Sequence, residues 1–183
     1  MVLTAFYQLE VHKRNCQLIK SDELNTIIDR IARHLTEPKK IGLFFMGGVG
    51  CGKSTMMYAI QAAHNYLYPS GRGIIIKDAT ELTRNAAADA DKVMGHYKQI
   101  DDMLAIDDLG KEPTEVMVYG SVIQPMVEIF EQRYNRMLPM LITTNLERKQ
   151  VAEKYGRRIA DRFNEMFEVI VFNEESYRKR CDL

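Results

Sequence analysis

The run Gly47-Gly48-Val49-Gly50-Cys51-Gly52-Lys53-Ser54 fits the pattern G-x-x-x-x-G-K-[ST], in which glycines let successive backbone amides turn inward around an anion. Such a loop suits a phosphate chain. Lys53 would reach β- and γ-phosphates as a point charge, and the Ser54 hydroxyl would take one position on Mg²⁺. Cys51 lies inside the loop, either as a small filler or as an oxidation-sensitive thiol. A second feature is the pair Asp107-Asp108, which closes an apolar run beginning at Met103. Carboxylates at the C-terminal end of a parallel strand stand where open α/β sheets bind ligands. Asp107 can complete the Mg²⁺ shell, and Asp108 can polarise a water for attack on a γ-phosphate. The alternative is that one or both acids cap the following turn.

These residues need strands to carry them and a helix to receive the phosphates. Ile41–Met46 is a continuous apolar run, as expected of a parallel strand covered on both faces, and a helix is predicted from Lys53 to about Tyr66. Ahead of them, Leu24, Ile27, Ile28, Ile31, Ala32 and Leu35 follow Ser21 at helical spacing, with Ser21 as N-cap and an end near Pro38. Further strands are predicted at Ile74–Ile76, Met103–Asp107, Met140–Thr143 and Val169–Phe172. Helices are predicted over Thr80–Gln99, from Pro125 to about Met137, and over Glu147–Met166. Strands and helices alternate, so the fold class is α/β with a mainly parallel five-stranded sheet. Residues 111–124, directly after the acids, read as a loop in which Met117 and Tyr119 would suit an interface.

At 183 residues, with 46% hydrophobic and 27% charged side chains, the chain fits one globular domain rather than a disordered or fibrous class. Its 25 basic and 25 acidic side chains cancel, so any binding to nucleic acid must use a local patch. Cys16, Cys51 and Cys181 include no C-x-x-C pair, which fits a reducing, cytoplasmic setting rather than a zinc site. No apolar run approaches the roughly 18 residues of a membrane span, and the N-terminus lacks signal-peptide character.

Taken together, Gly47–Thr55, Met103–Gly110, Leu141–Leu146 and Gly156–Arg162 resemble the AAA+ ATPases of the bacterial helicase-loader group, the DnaC type, and their IstB-type transposition relatives. The stretch Ile106-Asp107-Asp108-Leu109-Gly110 is especially similar. The resemblance spans roughly residues 20 to 180. It implies a three-layer P-loop NTPase of the AAA+/ASCE type over 21–183. Two departures from the family pattern are a short N-terminal segment, 1–20, in place of a sizeable helicase-binding domain, and little or no C-terminal lid. It also implies ATP and Mg²⁺ as cofactors, with Thr55 and the whole 47–54 loop holding the nucleotide.

Individual roles follow from the same resemblance. Asn145, ending the fourth strand, matches the polar residue that senses the γ-phosphate; capping of the next helix is the competing role. Arg162 matches an arginine finger acting on a neighbouring subunit, with Arg158 as the second candidate. A basic helix face turned to water is the alternative, since residues 147–162 hold six Lys/Arg against three Asp/Glu. Arg178 matches a second sensor arginine. The implied activity is ATP hydrolysis by a replication accessory protein that oligomerises on single-stranded DNA and helps place a replicative helicase. The alternatives are a transposition helper acting with a transposase, a small-molecule kinase, and a nucleotide-binding scaffold without turnover. Residues 1–20 would either dock a partner or pack on the core.

Overall fold

A computed structural model describes residues 2–173. In chain order the elements are α1 (Val2–His12), α2 (Asp22–Thr36), β1 (Gly42–Gly47), α3 (Lys53–Leu67), β2 (Ile74–Asp78), α4 (Ala79–Ala88), α5 (Ala90–Gln99), β3 (Met103–Leu109), β4 (Val116–Val118), β5 (Ser121–Ile123), α6 (Pro125–Asn135), β6 (Met140–Thr144), α7 (Arg148–Tyr155), α8 (Arg157–Met166) and β7 (Phe167–Phe172).

Five of these strands form one parallel sheet in the order β2-β3-β6-β1-β7. Side chains alternate across it. Leu43 and Phe45 of β1, Ala105 of β3 and Leu141 of β6 face α1, α2 and α3. Phe44, Leu104, Ile106, Met140 and Ile142 face α4 to α8. Because both faces are covered, the strands read as unbroken apolar runs rather than alternating ones. The result is the three-layer α/β architecture expected from the sequence, with β1 between β6 and the edge strand β7. Among the described residues nothing helical follows β7, and no helix is long and apolar enough to cross a membrane.

Ser21 caps α2 as predicted, its hydroxyl accepting from Leu24 N at 3.0 Å. Three local expectations need revision. The helix predicted over 80–99 is two helices, because the Asp89 carboxylate accepts from Lys92 N at 3.1 Å and starts α5 afresh. The helix predicted over 147–166 is also two, broken at Gly156 with φ 89°. Within 111–124 lies a hairpin, β4–β5, turning on Tyr119 and Gly120, both with positive φ. A type I′ hairpin turn needs that geometry at both positions, and Tyr119 in place of the usual Asn or Asp hides the signal.

Before α2, the residues treated as a short segment form α1. Leu3 and Tyr7 are buried in the same core as Met56, Ile60 and Ala63 of α3, and Phe6 meets Tyr66 at 5.5 Å between ring centroids. At the opposite end of the sheet, Arg133 of α6 is fully buried. Its guanidinium donates to the carbonyls of Tyr97, Ile100, Asp102 and Pro139 at 2.8–3.2 Å, fastening the entries to β3 and β6. Burial, with Arg136 nearby, lowers its pKa to about 10, so it stays cationic at neutral pH. Arg133→Met takes the guanidinium from four carbonyls, of which Pro139 O keeps the amide of Leu104, and is expected to cost roughly 3–5 kcal/mol. Thermal unfolding should show a midpoint lowered by about 10 °C; an unchanged midpoint would mean the clamp carries no stability.

Candidate functional site

The site assembles where β1, β3 and β6 end side by side. Gly47 closes β1 in a crowded position: a Cβ there would stand 2.3 Å from the carbonyl oxygen of Phe172 in β7. The loop then turns through Gly50 and Gly52, with φ of 83° and 95°, conformations that only glycine adopts without strain. Gly52 is the N-cap of α3 and offers no side chain to the first-turn amides, which lack intrahelical partners. Those amides and the helix dipole favour an anion. Cys51 is buried, with its thiol on Gly48 O at 3.0 Å, and fills the space beneath the loop.

Lys53 reaches back over this cradle. Its ammonium donates to Gly47 O at 2.8 Å, Gly48 O at 2.7 Å and Asn145 Oδ1 at 2.8 Å, and the residue is only 5% exposed. Among the described residues no carboxylate forms an ion pair with it. A cation this buried, held by neutral oxygens and by the Cys51 sulfur at 3.5 Å, leaves a positive charge to be matched by a ligand. Asn145 is thereby placed beside the phosphate cradle. It does not cap α7, whose N-cap is Glu147, in a capping box with Gln150.

The two acids differ in orientation. Asp107 Oδ1 accepts from Ser54 Oγ at 2.8 Å and from the Thr143 hydroxyl. Between Ile106 and Leu109 the β3–β6 register shifts, and Asp108 takes φ 57°. Its amide donates to Thr143 Oγ1 at 2.9 Å, and its carboxylate pairs with Lys111 at the rim of the cavity. The irregular backbone thus leaves Asp107 on Ser54 and turns Asp108, which a regular strand would send to the opposite face, to the cavity rim. Among the described residues no cluster of three or more His, Cys, Asp or Glu side chains could hold a metal by itself. Ser54 and Asp107 supply two hard oxygens, which fits Mg²⁺, an ion that usually completes its shell with phosphate and water.

Thr143 carries no motif signal apart from its place at a strand end, yet it bridges both acids. Glu112 was likewise not anticipated. It is buried, accepts from Gly110 N at 2.8 Å and from the Tyr155 hydroxyl, and lies 3.8 Å from Lys154 Nζ. Burial and this hydrogen bond push the Tyr155 hydroxyl pKa well up. The cluster ties the turn after Asp108 to the end of α7, one residue before the Gly156–Arg162 segment.

Of the arginines there, Arg162 is held by Glu131 at 3.0 Å and lies 4.7 Å over the Tyr134 ring, its side chain 14% exposed. Arg158 approaches the same Glu131 at 3.6 Å but is 75% exposed. Neither is among the residues lining the cavity of about 210 Å³ over the phosphate loop. Arg178 lies outside the described residues. The far wall of that cavity is one the sequence did not suggest: Tyr7, Val11 and Arg14 of the first helix and its end, then Gln17, Leu18 and Ile19.

No sequence-family profile matches this chain, and no curated protein sequence does. Solved structures do. A structure of DnaI superposes with a TM-score of 0.66 at 21% identity, covering 85% of this chain and 88% of that one. The DnaC helicase loader gives 0.66 at 24% identity, covering 85% and 93%. The replication initiator DnaA bound to AMPPCP and single-stranded DNA gives 0.64 at 17%, covering 89% and 50%. At such identities the likeness is one of fold: the chain has the three-layer α/β fold seen in DnaI, the DnaC helicase loader and the DnaA initiator.

Proposed function

We propose that this protein binds ATP with Mg²⁺ and hydrolyses it, as a replication accessory ATPase that assembles on single-stranded DNA and acts on a replicative helicase. The observation that carries the first part is the Lys53 ammonium, buried among neutral oxygens at the start of α3 and facing Asp108 across one cavity. The second part draws on the fold shared with the DnaC helicase loader and with a DnaA structure whose ligands are AMPPCP and single-stranded DNA.

In the proposed division of labour, backbone amides of the 47–52 loop and of the first turn of α3 hold the phosphates, and Lys53 exchanges its carbonyl partners for phosphate oxygens. Ser54 and Asp107 would hold Mg²⁺, which neutralises charge between the outer phosphates when bound. Asp108, released from Lys111, accepts the proton of the attacking water. Asn145, adjacent to Lys53, orients that water or the γ-phosphate. The Asp107–Thr143 bond ties β3 to β6, so the donor and acceptor sides of the reaction keep their separation.

An arginine on α8 completes the site of a neighbouring subunit in this proposal. Arg162 would have to leave Glu131 to do so, whereas Arg158 extends into solvent already. Partner choice by the β4–β5 hairpin, with Met117 and Tyr119 exposed, belongs to the same reading.

Lys53→Ala should weaken ATP binding at least tenfold by calorimetry, while Asp108→Asn should bind as the unaltered protein does and lose about 10²–10³ in turnover. Equal loss of binding in both would contradict these roles. Mixing Asp108→Asn subunits with subunits carrying Arg158→Ala or Arg162→Ala should restore hydrolysis for whichever arginine acts in trans; no restoration with either removes the trans-acting arginine. Single-stranded DNA should raise ATPase activity, with an effect that fades as salt increases, and a salt-independent or absent effect would remove the nucleic-acid role.

A further inference from the structure

The cavity has two chemically distinct ends. At one, Lys53 meets Asn145 and Ser54 meets Asp107, which marks the γ-phosphate side. At the other, Thr55 faces the segment between α1 and α2, and Arg14 donates from Nη1 to Thr55 Oγ1. The same guanidinium lies 5.7 Å from the centroid of the Tyr58 ring, one helical turn further along α3. Among the described residues Arg14 forms no ion pair with a carboxylate, although it lines the cavity. It is therefore a second cation beside the phosphate loop, satisfied by a neutral hydroxyl and an aromatic face.

The backbone holds Arg14 in this place. The amide of Asn15 donates to His12 O at 2.9 Å and that of Cys16 to Val11 O at 3.3 Å, with Asn15 at φ 54°. That pair of bonds is the Schellman arrangement, in which a left-handed residue ends the helix and reverses the chain. Arg14 lies in the turn that follows α1, two residues past His12. Since Leu3 and Tyr7 anchor α1 in the core shared with α3, the guanidinium is carried on a rigid support rather than on a free terminus.

We propose that Arg14 is a nucleotide ligand that binds the α-phosphate, exchanging Thr55 Oγ1 for a phosphate oxygen when the cavity fills. This rests on the nucleotide-binding reading above. Lys53 and Ser54 serve the outer phosphates; Thr55 is the next residue of the helix and its hydroxyl meets Arg14, in a cavity also lined by Gln17, Leu18 and Ile19, against which the nucleoside would lie. A phosphate between those positions is the first one. The guanidinium can form two parallel bonds to it, a geometry an ammonium cannot copy.

The test is calorimetric titration of the full chain with ATP and, separately, with ADP, both in Mg²⁺, for the unaltered protein, Arg14→Ala and Arg14→Lys. Thermal unfolding without nucleotide checks that each variant is folded. An α-phosphate ligand predicts that Arg14→Ala weakens ATP and ADP by the same factor, about tenfold, with the loss shrinking as salt rises. Arg14→Lys should recover part of it. Unchanged affinity for both nucleotides in Arg14→Ala would overturn the proposal, and so would a loss confined to ATP, which would place Arg14 at the γ-phosphate. If the unaltered protein binds neither nucleotide, the nucleotide reading itself fails, a result distinct from binding that ignores Arg14.

Discussion

A lysine ammonium with little access to water, surrounded by three neutral oxygens, sets the terms for the rest of the molecule. Lys53 touches the carbonyl that ends β1, the carbonyl after it and the amide oxygen of the residue after β6, so its environment exists only because those two strands are parallel neighbours. Carbonyl and amide oxygens solvate a cation but do not neutralise it. The first-turn amides of α3 add to the same positive field. A site with this field and a cavity in front of it is suited to a polyanion, and each neighbouring feature makes sense as a way to place or cleave one.

The opposing acids depend on a defect in the sheet. Had β3 continued in register with β6 beyond Ile106, Asp107 and Asp108 would have pointed to opposite faces, as adjacent strand residues do. The register shift, the left-handed Asp108 and the two bonds to Thr143 keep Asp107 beside Ser54 and bring Asp108 to the cavity rim. Irregular backbone of this kind costs free energy, and the buried Glu112–Tyr155–Lys154 cluster braces the turn that follows it. Through that cluster the acid-bearing turn is attached to the helix pair that carries Arg158 and Arg162.

The parts legible in the sequence were those whose residues are contiguous or periodic. The phosphate loop, the acid pair and Asn145 each lie at the end of an apolar run, and the five strands announce themselves because both faces of the sheet are covered. What stayed hidden depends on contacts across the chain. Thr143 matters only once β6 is known to lie beside β3, and Glu112 reads as an ordinary loop acid until Tyr155 and Gly110 close over it. Arg14 gains meaning from the packing of α1 on α3, although Leu3 and Tyr7 at helical spacing were a signal that could have been used. The breaks at Asp89 and Gly156 were visible as residue types that favour caps and turns, but hydrophobic spacing continued across both and concealed them.

Occupancy of the phosphate cradle is the claim on which the account stands, and ligand-linked stability measures it without assuming turnover, DNA or an assembly. Thermal unfolding of the full chain in Mg²⁺, repeated over rising ATP concentration, should show a midpoint that climbs steadily once ATP exceeds its dissociation constant. A midpoint that stays flat up to millimolar ATP would contradict it.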